Sequence, residues 1–300
     1  MQQAATGVIE SRLTLTQTVR AYVNLMKPHV TTLLLAVTAL TMVMAQRGMP
    51  SPVVLAATLI GGLMAAGSAN AINCYMDRDI DQIMGRTMRR SLPAGKVSPR
   101  HALFFGLILA VVSFTEMTIL VNTLAASLAL FGILFYVFVY TLWLKRTTPQ
   151  NIVIGGAAGA MPPLVGWAAV TDSITLPAFL LFAVIFFWTP PHFWALSLLI
   201  KRDYERANIP MLPVVMGERE TRKQIFLYSL WLFGVTLLLF ASGSMGYLYL
   251  GAALGLGGAL IYLAFRLMRD GANPWANRLF WFSNSYLAVL FAIMALDRLL

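Results

Sequence analysis

Long apolar runs dominate the pattern of hydrophobic and polar positions along the chain, and short polar segments separate them. Each run has roughly 18 to 24 residues, a length that crosses a hydrocarbon core of about 30 Å as an α-helix. Helices are expected because a chain in lipid must satisfy its backbone polar groups within its own segment. We therefore predict nine transmembrane helices, numbered as spans 1 to 9 in chain order, over residues 29–46, 52–76, 102–121, 123–144, 151–171, 176–199, 225–242, 246–265 and 280–296.

The composition agrees with an all-α integral membrane protein. Of the 300 residues, 59% are hydrophobic and only 11% are charged, whereas soluble domains contain about 25% charged residues. All 22 Lys and Arg residues except Arg47 and Arg298 lie in the N-terminal segment or in the loops after spans 2, 4, 6 and 8. The positive-inside rule then places the N-terminus in the cytoplasm. The net charge of +10 therefore indicates topology, and we expect no nucleic-acid partner.

Polar residues concentrate in two predicted cytoplasmic segments, 77–101 after span 2 and 200–224 after span 6. Residues 1–28 have neither a continuous apolar core nor a small-residue cleavage site, so we expect no signal peptide there. We interpret 1–28 as a cytoplasmic N-terminal segment with a short interfacial helix over 18–27, and 29–300 as one transmembrane domain. Cys74 is the single cysteine, which excludes an internal disulfide and a thiolate metal site.

A group of carboxylates occurs where span 2 ends, in the sequence NCYMDRDID. If the helix continues to residue 81, Asn73, Asp77 and Asp81 lie along one face and Asp79 points away. Carboxylate and amide oxygens suit Mg²⁺, which commonly bridges carboxylates to substrate phosphates. The alternative is a solvated helix end, but acidic side chains are unfavourable at the C-terminal end of a helix dipole. The pattern favours a Mg²⁺–diphosphate site at the membrane surface.

Basic residues follow these carboxylates directly. Arg86 and Arg90 are four residues apart, and we favour them as diphosphate ligands because a guanidinium matches phosphate oxygens in a bidentate manner. Lys145 and Arg146, after span 4, are further candidates. The positive-inside rule alone would also place basic residues here, so this alternative stays open.

The second polar segment begins with KRDYERANIPMLP at residue 201. Asp203 follows span 6 as the first carboxylates follow span 2, which makes it the candidate for the second half of the metal site. Glu205 is a weaker candidate, and Lys201 and Arg202 are candidate diphosphate ligands. The alternative is a cluster of ion pairs at a helix end.

Span 6 ends with WTPPHFW at residues 188–194. Pro190 and Pro191 should break or bend a membrane helix, and neighbouring groups must then satisfy the freed backbone. His192 is the one histidine at predicted membrane depth. Its alternative role is that of a satisfied hydrogen-bonding residue, although an ionisable residue within a membrane is a functional candidate by default.

These motifs resemble those of the UbiA superfamily of intramembrane prenyltransferases. The resemblance rests on the NxxxDxxxD pattern of Asn73, Asp77 and Asp81 and on the second acidic segment after span 6. The segments YTLWLKRTTPQNIVIGGAAGAMPPLVGWAAVT and WTPPHFWALSLLIKRDYERANIPMLPVV resemble the branch that modifies heme. The resemblance implies nine helices around a central cavity that faces the cytoplasm, in the cytoplasmic (inner) membrane of a bacterium.

The resemblance also implies an activity. The farnesyl group of farnesyl diphosphate would join a vinyl group of heme b (protoheme IX) with addition of water, giving heme O and diphosphate. Mg²⁺ would be the cofactor, the lipid bilayer would surround the bundle, and heme A synthase or the assembly machinery of a terminal oxidase would be candidate partners.

The resemblance assigns these roles to particular residues. The implied metal ligands are Asn73, Asp77, Asp81 and Asp203. The implied catalytic residues are the same four together with Lys145 and Arg146. The implied diphosphate-binding residues are Arg86, Arg90, Lys201 and Arg202. The implied heme-binding residues are His192 and Tyr204.

One departure and two alternatives accompany this interpretation. Many superfamily members have two or more acids in the second motif, whereas Asp203 here has only Glu205 nearby, which weakens the expectation of a second Mg²⁺. A UbiA-type aromatic prenyltransferase of quinone biosynthesis is one alternative, and a membrane transporter is the other. The acids gather at one face instead of the membrane midplane, where transporters bind their substrates, so a transporter is disfavoured.

Overall fold

The computed structural model describes residues 14–300, and within this range nine helices are long and apolar enough to span a membrane. The spans are Pro28–Gln46, Pro52–Met76, Pro99–Leu120, Thr123–Thr147, Asn151–Thr171, Leu176–Leu199, Gly217–Ala241, Tyr247–Asp270 and Asn273–Leu299. Shorter helices are Leu15–Leu25, Arg78–Ile83, Lys201–Arg206 and Leu212–Val215. The part of the chain that is described contains no β-strand. The prediction of nine helical spans is confirmed.

Two spans begin earlier than the hydrophobic pattern indicates. Span 7 begins at Gly217 and span 9 at Asn273, whereas the apolar runs begin at residues 225 and 280. The first turn of span 7 contains Glu218 and Glu220. The hydropathy pattern leaves these charged residues out of the predicted span, although their backbone is already helical. These spans therefore continue beyond their apolar part at the end where span 2 finishes.

A short helix precedes span 1, close to the predicted position. It covers Leu15–Leu25 and begins with a capping box, in which Thr14 and Gln17 satisfy each other's backbone N–H groups. Its buried residues Ala21 and Leu25 pack in one cluster with Ala71 of span 2. Residues 1–13 lie outside the described range, so the expectation of no signal peptide stays a prediction there.

The spans form a closed ring in chain order. Each span packs against the next, and span 9 packs against span 1. Span 6 also packs against span 9, and span 1 packs against the second half of span 5. We call the end of this ring that carries segments 77–98 and 200–216 the motif face.

Two spans depart from regular α-helix. Span 4 changes to a π-helix over Phe135–Leu144, and span 5 is divided at Ala160 into Asn151–Gly159 and Met161–Thr171. Span 6 is continuous over Leu176–Leu199 although Pro190 and Pro191 lie within it. The helix is therefore not broken at these prolines, and the alternative expectation of a bend stays a prediction.

Candidate active site at the motif face

Asp77 and Asp81 of the first acidic motif remain on one side of the chain, although the helix is interrupted. Span 2 ends at Met76, and Asp77 departs from helical geometry before the short helix Arg78–Ile83 begins. The N–H of Asp77 still donates to the Asn73 carbonyl, and that of Asp81 donates to the Asp77 carbonyl, both at 2.8 Å. Asp77 and Asp81 are consequently buried, whereas 59% of the Asp79 side chain is exposed.

Asn73 connects Asp77 to a residue that the sequence analysis missed. Its Nδ2 donates to Asp77 Oδ2 at 2.7 Å and to the Thr141 hydroxyl at 3.1 Å, and its Oδ1 accepts from Lys27 Nζ at 2.9 Å. This orientation of the amide is determined by its neighbours, because an ammonium only donates and a carboxylate only accepts. Asn73 thus orients Asp77, and its oxygen faces Lys27 in this arrangement.

Lys27 lies in the segment NLMKPH, immediately before span 1. Desolvation by burial lowers the pKa of Lys27 to about 8, and the positive charges of Arg90 and Lys145 act in the same direction. The sequence alone indicated that Lys27 lies on the same side of the membrane as the acidic motifs, because it directly precedes span 1. The sequence did not show that the chain turns it toward span 2.

Lys145 is the closest cation to the first motif. Its Nζ donates to Asp77 Oδ2, and the Lys145 side chain is largely buried. Thr141, one turn earlier on the π-helix, contacts Asn73. A π-helical stretch changes the register of side chains and often occurs at functional sites. Here it brings both Thr141 and Lys145 against the end of span 2.

Arg90 returns to the motif from the following loop. Its Nη1 donates to both carboxylate oxygens of Asp81, at 3.0 and 2.8 Å. The Thr87 hydroxyl donates to the Asp81 carbonyl at 3.1 Å and fixes the loop beside it. The structure thus brings Arg90 to the site as a partner of Asp81. Arg86 is exposed and has no ion pair within residues 14–300.

Arg146 is engaged by the exposed carboxylate of the motif. Its two terminal nitrogens donate to the two oxygens of Asp79, each at 2.8 Å, and one also donates to the Met76 carbonyl at 3.0 Å. The same guanidinium lies 3.8 Å from Asp77 Oδ1. The hydrogen bond from Arg146 is the main reason that the pKa of Asp79 is lowered to about 2.

The second acidic segment meets the first through Asp203. A Cβ added to Gly85 would lie 3.8 Å from both carboxylate oxygens of Asp203, so this side chain faces the loop that follows the first motif. Tyr204 is buried, and burial raises the pKa of its hydroxyl.

Two predicted basic residues of this segment are placed elsewhere. Lys201 pairs with Glu205 at 3.5 Å and Glu218 at 3.6 Å, so its charge is directed along the second segment and toward span 7. Arg202 is exposed. The structure brings neither of them to Asp77.

The carboxylate oxygens of the two acidic motifs are of the type that Mg²⁺ binds. No three His, Cys, Asp or Glu side chains within residues 14–300 lie together as a group that could hold a metal ion, and the two buried carboxylates pair with Arg90 and Lys145. Asp77 Oδ1 is nevertheless buried without a hydrogen-bond partner, and such an atom is a free hard ligand. Asp77 therefore offers one oxygen that fits Mg²⁺, and Asp203 faces the loop that follows the first motif.

Comparisons with known proteins place this bundle in a family. The profile of the UbiA prenyltransferase family matches residues 33–286. The chain belongs to the UbiA prenyltransferase family. Its nine spans make it a multi-pass integral membrane protein.

Similar sequences carry one name. The protoheme IX farnesyltransferase of Gloeobacter violaceus is 53% identical over 93% of this chain and 92% of its own length. That of Trichormus variabilis is 51% identical over 94% of this chain and 90% of its own length. The enzyme of Roseiflexus sp. (strain RS-1) is 50% identical over 92% of this chain, which spans only 52% of that relative's length.

Solved structures share the UbiA fold at low sequence identity. A digeranylgeranylglyceryl phosphate synthase has a TM-score of 0.79 at 17% identity, covering 94% of this chain and 99% of that one. A UbiA homologue from Archaeoglobus fulgidus, bound to GPP and Mg²⁺, has a TM-score of 0.66 at 16% identity, covering 91% and 99%. These likenesses establish the fold.

His192 of this UbiA family member lies in an aromatic stack away from the acidic motifs. Its ring lies between Trp188, at a centroid distance of 4.3 Å, and Phe280, at 4.8 Å. Its Nδ1 is 2.8 Å from the Ser283 hydroxyl, whose proton is donated to the Phe280 carbonyl at 2.7 Å. In the tautomer with its proton on Nδ1, His192 donates to Ser283 and Nε2 has a free lone pair.

Two cavities border the ion pair between Arg146 and Asp79. One has a volume of about 370 Å³ and also includes Met76 and Thr141 in its wall. The other, of about 230 Å³, is lined on its far side by Asn208 of the second segment. The Arg146–Asp79 pair therefore separates two openings at the motif face of the bundle. The central cavity implied by the resemblance stays a prediction.

Proposed function

We propose that this protein transfers the farnesyl group of farnesyl diphosphate to a vinyl group of heme b, with addition of water, giving heme O and diphosphate. The relatives that carry the name protoheme IX farnesyltransferase, at about half identity over most of the chain, support this substrate pair. The observation that carries the proposal is the buried Asp77, whose Oδ1 has no hydrogen-bond partner although Lys145 and Arg146 lie beside this carboxylate.

The charges at the motif face suit the departure of diphosphate. Breaking the allylic C–O bond leaves a carbocation and a leaving group of high negative charge, and fixed positive charges stabilise that group as it forms. Lys145 is the nearest cation to Asp77, and Arg146 lies 3.8 Å from Asp77 Oδ1. Arg90 would join them if it exchanged Asp81 for phosphate. Arg86 is exposed beside them and free of ion pairs within residues 14–300.

Mg²⁺ is the proposed cofactor. Asp77 and Asp203 would hold it, with Asp81 and Asn73 as further oxygen donors, and it would neutralise the diphosphate as a Lewis acid. Asp81 can contribute only where Arg90 has released it, and Asn73 only through the lone pair of Oδ1 that Lys27 does not use. Asp77 is therefore the principal proposed ligand of Mg²⁺.

His192 and Tyr204 are the proposed heme contacts. In the tautomer that donates from Nδ1 to Ser283, Nε2 of His192 is unprotonated, which is the form that binds iron. The residue is partly buried, with its ring stacked between Trp188 and Phe280. Tyr204 lies on the buried side of the second segment, where its hydroxyl would meet a polar edge of the heme.

The proposed location is the cytoplasmic membrane of a bacterium, with the motif face toward the cytoplasm. The positive-inside distribution of Lys and Arg supports this orientation. Delivery of heme O to heme A synthase or to terminal-oxidase assembly stays a prediction. Aromatic prenylation for quinone synthesis is disfavoured, because the similar sequences carry the heme enzyme's name.

The experiment combines the purified protein with heme b, farnesyl diphosphate and Mg²⁺, with or without EDTA, and analyses the hemes by mass spectrometry. We expect a hydroxyfarnesyl adduct that requires the metal and disappears in Asp77→Asn. Asp172→Asn is the matched control, because Asp172 lies on the loop after span 5, at the end opposite the motif face. Unmodified heme together with prenylation of an aromatic acid would overturn the substrate assignment and leave the family intact.

A further inference from the structure

We propose that Lys27 is a further diphosphate-binding residue, which contacts the substrate from span 1 while Lys145 contacts it from span 4. This inference rests on the proposed function and adds a residue that belongs to neither acidic motif. It follows from the backbone that presents Lys27, from the charges around it and from its unused hydrogen-bond donors.

The backbone at Lys27 holds an unusual conformation. Its φ of 51° lies in the left-handed region, which residues other than Gly adopt rarely. The Met26 carbonyl accepts from the Thr31 hydroxyl and from the Asn70 side chain, each at 3.0 Å. Pro28 then begins span 1. A strained residue that buried neighbours hold in place is typical of functional sites, and here the conformation directs Lys27 toward span 2.

The charges around Lys27 do not balance. Lys27 Nζ donates to the neutral Asn73 amide at 2.9 Å, and no carboxylate within residues 14–300 lies within 4.0 Å of it. Asp77 already pairs with Lys145, and Asp81 already pairs with Arg90. Lys27, Lys145 and Arg90 therefore bring three positive charges to two carboxylates, and a partly buried positive charge without a counter-charge is unfavourable. An anion is the ligand that would correct this imbalance.

The unused donors of Lys27 suit phosphate oxygens. An ammonium group has three N–H donors, and the contact with Asn73 accounts for one. Asn73 and Asp77 lie one helical turn apart, so Lys27 and Lys145 contact consecutive turns of the same helix end. A diphosphate has two phosphoryl groups, which two neighbouring ammonium groups can neutralise together. Lys commonly serves as such a point charge for phosphate.

A purely structural role for Lys27 would produce a different result. If Lys27 only orients Asn73, its loss would misplace Asp77 and raise the Mg²⁺ concentration that the protein needs. If Lys27 binds the diphosphate, its loss would weaken diphosphate binding at saturating Mg²⁺ and leave the Mg²⁺ requirement nearly unchanged. The two roles are separated by measuring both quantities.

The test uses isothermal titration of the full-length protein in detergent with farnesyl thiolodiphosphate, an analogue that does not ionise readily. We expect Lys27→Met to raise the dissociation constant at saturating Mg²⁺ about tenfold or more, and Lys27→Arg to recover much of that loss. Lys96→Met is the matched control, since Lys96 is exposed on the loop after span 2 at the same end of the bundle and its loss should leave binding unchanged. Thermal unfolding and the heme absorption spectrum check that each variant is folded.

The outcomes separate this inference from the proposed function. A parent protein that binds the analogue, with Lys27→Met within twofold of it, would overturn the role of Lys27 alone. A change confined to the half-saturating Mg²⁺ concentration would also overturn it, in favour of orientation of Asn73. If the parent protein binds no analogue, the proposed function fails together with the inference. Lys27→Gln provides the same comparison should Lys27→Met unfold.

Discussion

Both carboxylate oxygens of Asp81 accept hydrogen bonds from a single nitrogen of Arg90, at 3.0 and 2.8 Å. Asp81 is buried, and the Arg90 side chain is 28% exposed. The carboxylate that the NxxxDxxxD pattern assigns to Mg²⁺ is thus neutralised by the protein itself. In the proposed Mg²⁺ site, Arg90 and the metal ion would be alternative partners of Asp81.

Arg90→Ala should therefore lower stability and increase stabilisation by Mg²⁺. Loss of Arg90 leaves a buried carboxylate without its cation, which should cost about 2 kcal/mol, less than a fully buried pair because Arg90 is partly exposed. Thermal unfolding in detergent, with and without Mg²⁺, measures both effects. Arg89→Ala is the control, since Arg89 is exposed and has no ion pair among the described residues. Equal melting temperatures for the two variants would contradict the prediction.

Ser283→Ala should alter heme binding without unfolding the protein. The Ser283 hydroxyl lies 2.8 Å from Nδ1 of His192, and by accepting from Nδ1–H it would keep Nε2 unprotonated. Outer partners of this kind change metal affinity by about tenfold or more, so we expect weaker heme binding and a shifted absorption spectrum. Ser229→Ala is the control, because the buried Ser229 hydroxyl donates only to the Ile225 carbonyl of its own helix. A spectrum identical to the parent's would remove His192 from the iron.

The Asp79–Arg146 pair should contribute little to stability, and only above acidic pH. Both side chains are partly exposed, so Asp79→Asn should cost no more than about 1 kcal/mol at neutral pH. Because the pKa of Asp79 is lowered to about 2 in the folded protein, the contribution is present above the unfolded value of about 3.9 and is lost as the pH falls toward 2. The difference in melting temperature between parent and Asp79→Asn should stay constant from pH 7 to about 5 and decrease below about 4. A difference that grows on acidification would refute this sign.

Gly166→Ala should destabilise the contact between spans 1 and 5. A Cβ at this position would lie 2.6 Å from the Thr38 carbonyl oxygen, and that backbone atom cannot move aside as a flexible side chain could. Overpacking of this kind costs about 1–3 kcal/mol. At Gly234, inside span 7, an added Cβ meets nothing within 4 Å, so Gly234→Ala should leave stability unchanged or raise it by up to about 1 kcal/mol. Comparable losses in both variants would argue against close helix contact at Gly166.

The cation assignments show why a local pattern could not complete the site. The sequence places Arg86, Arg90, Lys145, Arg146 and Lys201 in polar segments on the same predicted side of the membrane without showing which carboxylate each one meets. The structure gives them different partners: Lys145 contacts Asp77, Arg90 holds Asp81, Arg146 holds Asp79, and Lys201 turns to Glu205 and Glu218. These pairings depend on which loops lie next to each other in the folded protein. Neither the helical period nor the charge of a residue specifies that.

Nine spans, their order and the acidic end of span 2 were determined by the sequence alone, because hydrophobic length and the side-chain period of a helix are local properties. For spans 7 and 9 the predicted ranges covered the apolar parts of the helices and left out their polar first turns. Only the tertiary structure decided that Lys27 reaches Asn73, that a π-helix carries Thr141 and Lys145 to the motif, and that His192 meets Ser283. Each of these contacts joins residues more than 40 positions apart. Such contacts follow from the closure of the ring of helices, which no single segment specifies.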